Sequence, residues 1–135
     1  MGTWGAGSFD SDDGSDFAIE FESEGMAALE MAFDIVDEEY LEGPAAQRAI
    51  AAAEILALCK ATGASDDAAI TPELYEAIER HASEIRPRLA TLRRLAIAAL
   101  DRVEDDQSEL KQLWEEGDAS EWQAAIDGLR ERLAG

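Results

Sequence analysis

Eleven consecutive residues, Ala49 to Cys59, carry one charge, Glu54, and set five alanines among Ile50, Ile55, Leu56 and Leu58. A helix that is apolar on every side cannot stand at a surface and must be covered by neighbours from several directions. Alanine lets those neighbours approach closely. The stretch therefore predicts a central helix, and the rest of the chain must supply the helices around it.

The flanking sequence does so. Met26, Leu29, Phe33, Val36 and Tyr40 recur every three or four residues, with Ala28, Ala32 and Ile35 widening the stripe, which predicts one amphipathic helix from about residue 16 or 24 to 41. Gly43-Pro44 stops it, and Pro44, tolerated in a first helical turn, opens the central helix, which runs to about Ala61. A turn-rich segment from Gly63 to Ile70 leads to Thr71, an expected N-cap, and to a helix from Pro72 through Leu74, Ile78 and Ile85, closed by Pro87. From Arg88, the positions Leu89, Leu92, Ala96, Ala99, Leu100, Val103, Leu110 and Trp114 keep helical phase, favouring one long or kinked element to residue 116 over a fresh start near Ser108. Asp118 with Glu121 has the spacing of a capping box, ahead of a last stripe at Trp122, Ile126, Leu129 and Leu133. Strand signals are absent apart from a short alternation at Phe17 to Glu22 that also fits a helix turn. The expected fold is all-α: a compact bundle of about five or six helices in a single domain, 1–135, with residues 1–16 as a coil packed on a helical body of 17–135.

Charge narrows the partners. The net charge is -20, and its distribution is uneven: residues 1–42 hold thirteen Asp and Glu and no Lys or Arg, whereas residues 86–135 hold eleven against eight. Such a field repels nucleic acid and anionic lipid and draws a basic protein surface. A solvated acidic surface with no partner would carry the same composition. The single Cys59 lies in the most apolar stretch and is expected to be a buried small hydrophobe in a reducing compartment. Without a basic n-region or an apolar run approaching the roughly 18 residues of a membrane span, the expected location is cytoplasmic. The expected state is a monomer or homodimer that binds neither nucleic acid nor membrane.

Residues 1–16 place glycine, aromatic and carboxylate in an order that helical periodicity would not demand: Met-Gly-Thr-Trp-Gly-x-Gly-x-Phe-Asp-x-Asp-Asp-x-x-Asp. Trp4 and Phe9 serve no purpose in a solvated tail, so this motif is expected to be an anchor, structural or binding, built from Trp4, Phe9, Asp10, Asp12, Asp13 and Asp16. Together with Tyr40-Leu41-Glu42 before the alanine-rich helix, Ser108-Glu109-Leu110-x-x-Leu113-Trp114, Trp122 and Leu129-Arg130-x-Arg132-Leu133, it resembles the bacterial domain-of-unknown-function family 4259 over the whole chain. The chain differs from that pattern mainly at Ser8 and Gly14. The resemblance implies a helical bacterial domain of unassigned activity and supplies no catalytic residue.

Each candidate chemistry has a structural competitor. The aspartates from Asp10 to Asp16 invite a cation, but an EF-hand counted from Asp10 fails at Gly14, Ser15 and Phe21, and the same residues suit a helix start, where free backbone N–H groups and the macrodipole stabilise carboxylates. Gly5-Ala6-Gly7 lacks a preceding strand and a third glycine, so it does not read as a nucleotide loop. Ser8 is outside any nucleophile elbow, and His81, the sole histidine, is expected to rim its helix. Glu30, Asp34, Asp37 and Glu38 at i, i+4, i+7 and i+8, and Glu73, Glu76 and Glu79 at i, i+3 and i+6, form an alternative acidic face. Two such helices could hold Mg²⁺ as all-α nucleotide pyrophosphohydrolases do, which makes a metal-dependent phosphohydrolase the competing function. The leading expectation is a non-enzymatic interaction module for a basic protein partner, immunity- or antitoxin-like in kind, with no catalytic residue, metal or cofactor.

Overall fold

A computed structural model describes residues 12–60 and 72–134. Among these residues the chain forms seven α-helices: α1 (Asp12–Glu24), α2 (Met26–Phe33), α3 (Gly43–Lys60), α4 (Pro72–Ile85), α5 (Leu89–Val103), α6 (Glu109–Glu115) and α7 (Ser120–Ala134), with a 3₁₀ turn at Arg86–Arg88. The expected all-α bundle is what forms. Every residue from Ala49 to Cys59 is buried, and α3 touches all six other helices, so the alanine-rich stretch is the central helix. Its one charge, Glu54, is only 5% exposed and meets Arg132 of α7 in a two-pronged pair, with Arg132 Nη1 donating to Glu54 Oε1 at 2.9 Å.

The body begins earlier than the expected boundary between coil and bundle, because α1 opens at Asp12. Phe17 and Phe21, one helical turn apart, are both fully buried, which settles the ambiguous alternation in favour of helix. Arg48 of α3 holds this helix from outside, pairing with Glu20 at 2.6 Å while its guanidinium lies 5.3 Å from the centre of the Phe17 ring.

The single helix expected up to residue 41 is two helices and a turn. The chain breaks at Gly25, whose φ of 62° and ψ of -131° lie in territory that only glycine enters without strain. Glu22, in the last turn of α1, has a carbonyl that α1 cannot satisfy; Arg80 Nη2 donates to it at 2.6 Å and His81 Nε2 lies 3.2 Å away, so α4 caps α1. The second helix then stops at Phe33. Asp34, Asp37, Glu38 and Glu39 would crowd the negative end of its macrodipole with no basic residue in the last turn to offset them. The chain instead makes tight turns, Asp34 N–H bonding Met31 O at 3.3 Å and Glu38 N–H bonding Ile35 O at 3.2 Å. Val36 and Tyr40, which periodicity assigned to the buried stripe, are exposed, whereas Ile35, which widens that stripe, is buried as expected.

The long element favoured for residues 88–116 also divides. Glu104, Asp105 and Asp106 crowd the negative end of α5, and Ser108 starts a new helix by accepting the Lys111 N–H at 3.4 Å. The break is pinned from a distance: Leu41 N–H bonds Gln107 O at 2.8 Å and Glu109 N–H bonds Leu41 O at 2.9 Å, a lone parallel bridge. The Glu109 carboxylate turns back to accept the Gly43 N–H at 2.6 Å, capping the start of α3. Asp118 does cap the last helix, but through the N–H of Ser120 two residues on, at 2.9 Å; the Ser120 hydroxyl first and this N–H second hold its carboxyl below the usual carboxylate range. Trp122, Ile126, Leu129 and Leu133 are buried as their spacing predicts, and Trp122 stacks on Trp114 to tie α6 to α7.

Burial pushes the Cys59 thiol up from 9.0 to about 12, with the positive charge of Arg86 partly opposing it. A thiol so placed stays protonated and unreactive at neutral pH. A thiol-specific reagent at pH 8 is expected to label Cys59 only as fast as the fold opens, and full labelling of the native protein within the dead time would contradict this. Because the folded pKa is the higher one, this contribution to stability is complete below about pH 9 and is lost as the pH rises toward 12.

Candidate functional site

The turns between α2 and α3 build the acidic flank. Arg102 of α5, only 8% exposed, reaches across and donates to the carbonyl of Glu38 from Nη2 at 2.7 Å and from Nε at 3.2 Å, and to Gln107 O at 3.4 Å. This arginine therefore holds the backbone of the turn and leaves the carboxylates unbonded. Glu30, Asp34, Asp37, Glu38 and Glu39 are all exposed, and among the described residues none of their carboxylates takes part in an ion pair. Some acids elsewhere are matched: Glu104 and Asp101 of α5 hold Arg130, with Asp101 Oδ1 at 2.6 Å. Burial alone would lower the pKa of Arg130, but its bonds to Glu104 and Asp101 raise it.

Glu30, Asp34, Asp37 and Glu38 do not share one helical face, because α2 ends at Phe33 and only Glu30 lies on it; Asp34 is the residue after its last turn, and Asp37 and Glu38 belong to the turns beyond. Glu73, Glu76 and Glu79 keep their expected spacing along the exposed side of α4. No cluster of three or more His, Cys, Asp or Glu residues able to hold a metal ion occurs among the described residues. Of the N-terminal motif, Asp12 opens α1, Asp13 is half-buried and Asp16 is exposed in the first turns, as a helix start requires. Trp4, Phe9 and Asp10 lie outside the described residues.

Beside the flank runs a groove of about 430 Å³ whose walls include Glu30, Met31, Asp34 and Val36 on one side and Leu95 and Ala98 of α5 on the other. Met31 is 65% exposed, Val36 45% and Leu95 41%, so three large apolar side chains face solvent within one concavity. Sequence reasoning missed this feature. The available signal was angular: at 100° per residue Met31 points away from the buried face of α2, and Leu95 sits at the edge of the buried face of α5.

The profile of the family described as Domain of unknown function (DUF4259) matches residues 2–125, which include the whole flank and both walls of the groove. The chain belongs to this family. No curated protein and no solved structure matches it. The matched stretch of this DUF4259 domain ends within α7, between Trp122 and Ile126 and short of Arg132. No helix among the described residues of the DUF4259 domain is long and apolar enough to cross a membrane.

Proposed function

We propose that this DUF4259 domain is a non-enzymatic interaction module that uses its acidic N-terminal half to bind a basic protein, a cationic toxin that it neutralises being the kind of partner that fits. One observation carries the reading: five exposed carboxylates between residues 30 and 39 stand together with no ion pair among the described residues. Like charges held close repel, and a cationic surface relieves that repulsion while the field accelerates encounter. A phosphohydrolase would need carboxylates of two helices to converge on a metal; with Asp34, Asp37 and Glu38 beyond the end of α2, no feature of the site favours it.

The test compares two variants of equal charge. One neutralises Glu30, Asp34, Asp37 and Glu38 as amides; the other neutralises Glu73, Glu76, Glu79 and Glu131. Affinity capture from the native host is expected to recover one basic protein with the wild type and the second variant, released by raised salt, and not with the first. Capture that ignores salt, or that both variants lose equally, would remove the assignment.

A further inference from the structure

The groove beside the acidic flank has features the flank alone does not require. Charged residues on a turn attract a cation without any apolar surface, yet Met31, Val36 and Leu95 remain in water. Ala98, small and opposite, leaves room between them. Apolar centre and charged rim is the anatomy of a protein interface, and methionine adapts its shape to its contacts. The volume is at the lower end of ligand pockets, room for a few side chains rather than a large cofactor.

Resting on the acidic-module function, we infer that this groove receives a cationic amphipathic helix of the basic partner, its apolar anchors on Met31, Val36 and Leu95 and its Lys or Arg residues against Glu30 and Asp34. Both walls argue for a helix. The backbone of α2 and of α5 is bonded within each helix, so there is no strand edge to which an extended segment could add. With eight residues, α2 offers a wall about 12 Å long, matching two turns of a partner helix with anchors one turn apart. Charge selects the partner. A second copy of this chain would bring another net charge of -20 and, in a symmetric pair, would set this acidic patch against its own copy. Arg94, exposed next to Leu95 on α5, places a positive charge beside the opposite wall, so the cationic side of the incoming helix faces α2.

The probe is a fluorescein-labelled amphipathic helical peptide with leucine anchors one turn apart and flanking lysines, titrated by anisotropy at low and high salt. Met31→Ser and Leu95→Ser, at positions already in solvent, are expected to keep the melting temperature and weaken binding on the order of tenfold at both salt concentrations. Leu95→Ala serves if the serine variant does not fold. Glu30→Gln with Asp34→Asn is expected to weaken binding at low salt only. Peptide affinity unchanged by Met31→Ser and Leu95→Ser, but reduced by the charge variant, would overturn the groove and leave the acidic module standing. Affinity lost with Leu95→Ser but indifferent to the charge variant and to salt would overturn the cationic occupant and the acidic module together. Failure of the peptide to bind, or a dimer by light scattering that Met31→Ser dissociates, would also overturn the inference.

Discussion

Replacing Gly25 with alanine will destabilise the fold by about 2–6 kcal/mol. Two effects add. Alanine at a φ of 62° with ψ of -131° takes on backbone strain of about 1–3 kcal/mol. Its Cβ would also come within 2.5 Å of His81 Nδ1 and 2.8 Å of His81 Cε1, and overpacking of this kind costs about 1–3 kcal/mol more. The ring has little room to retreat, since it packs edge-on against the buried Phe21 at 5.4 Å and lies against the Glu22 carbonyl. Urea denaturation should show a lower midpoint with an unchanged slope. A second variant separates the terms: His81→Ala added to Gly25→Ala removes the collision but not the strain, so it should recover part of the loss. Gly128, on α7 with open space around its Cα, is the control, and alanine there should stabilise by about 0.5–1 kcal/mol. Equal effects at the two glycines would mean that the Gly25 turn is not strained.

Arg132→Met will cost about 3 kcal/mol, because it takes the cation of α7 away from the Glu54 carboxylate buried in the central helix. Breaking a buried pair from one side typically costs about 3–5 kcal/mol, and the lower figure applies because the Arg132 side chain is 39% exposed. Removing both charges is a different experiment. Glu54→Met together with Arg132→Met fills the site with apolar volume and is expected to lie within about 1 kcal/mol of the wild type. A chemical-denaturation cycle over the four proteins measures the coupling. If Arg132→Met alone shifts stability by less than about 1 kcal/mol, Glu54 is solvated by other means and the pair does not hold α7 to α3.

These two sites show where legibility in the sequence ended. Glu54 stood out as the one charge in an apolar helix, but nothing local named Arg132, 78 residues away, as its partner. The apolar positions on either side of Gly25 keep phase across it, so periodicity did not mark it as a break. Its role depends on His81, which arrives from α4. The acidic flank was likewise legible as composition and not as geometry: the spacing of Glu30, Asp34, Asp37 and Glu38 suits one helix face, whereas the end of α2 at Phe33 and the grip of Arg102 on the Glu38 carbonyl turn most of it into a loop. Ser108 carried a visible N-cap signal, yet the unbroken apolar phase from Leu89 to Trp114 outweighs it as long as the bridge from Leu41 to the linker is out of view.

Local sequence alone determined that the chain is helical, which stretch lies at the centre, where α3 and α4 open, and that negative charge gathers in the first third. Those properties come from periodicity, helix propensity, proline placement and residue count, all of which act within a turn or two of the chain. Tertiary structure alone decided where two of the expected helices break, which cation meets the buried Glu54, and that Met31, Val36 and Leu95 share a groove. Such outcomes depend on groups brought together from distant parts of the chain, and periodicity within one helix carries no information about the neighbours its far side will meet.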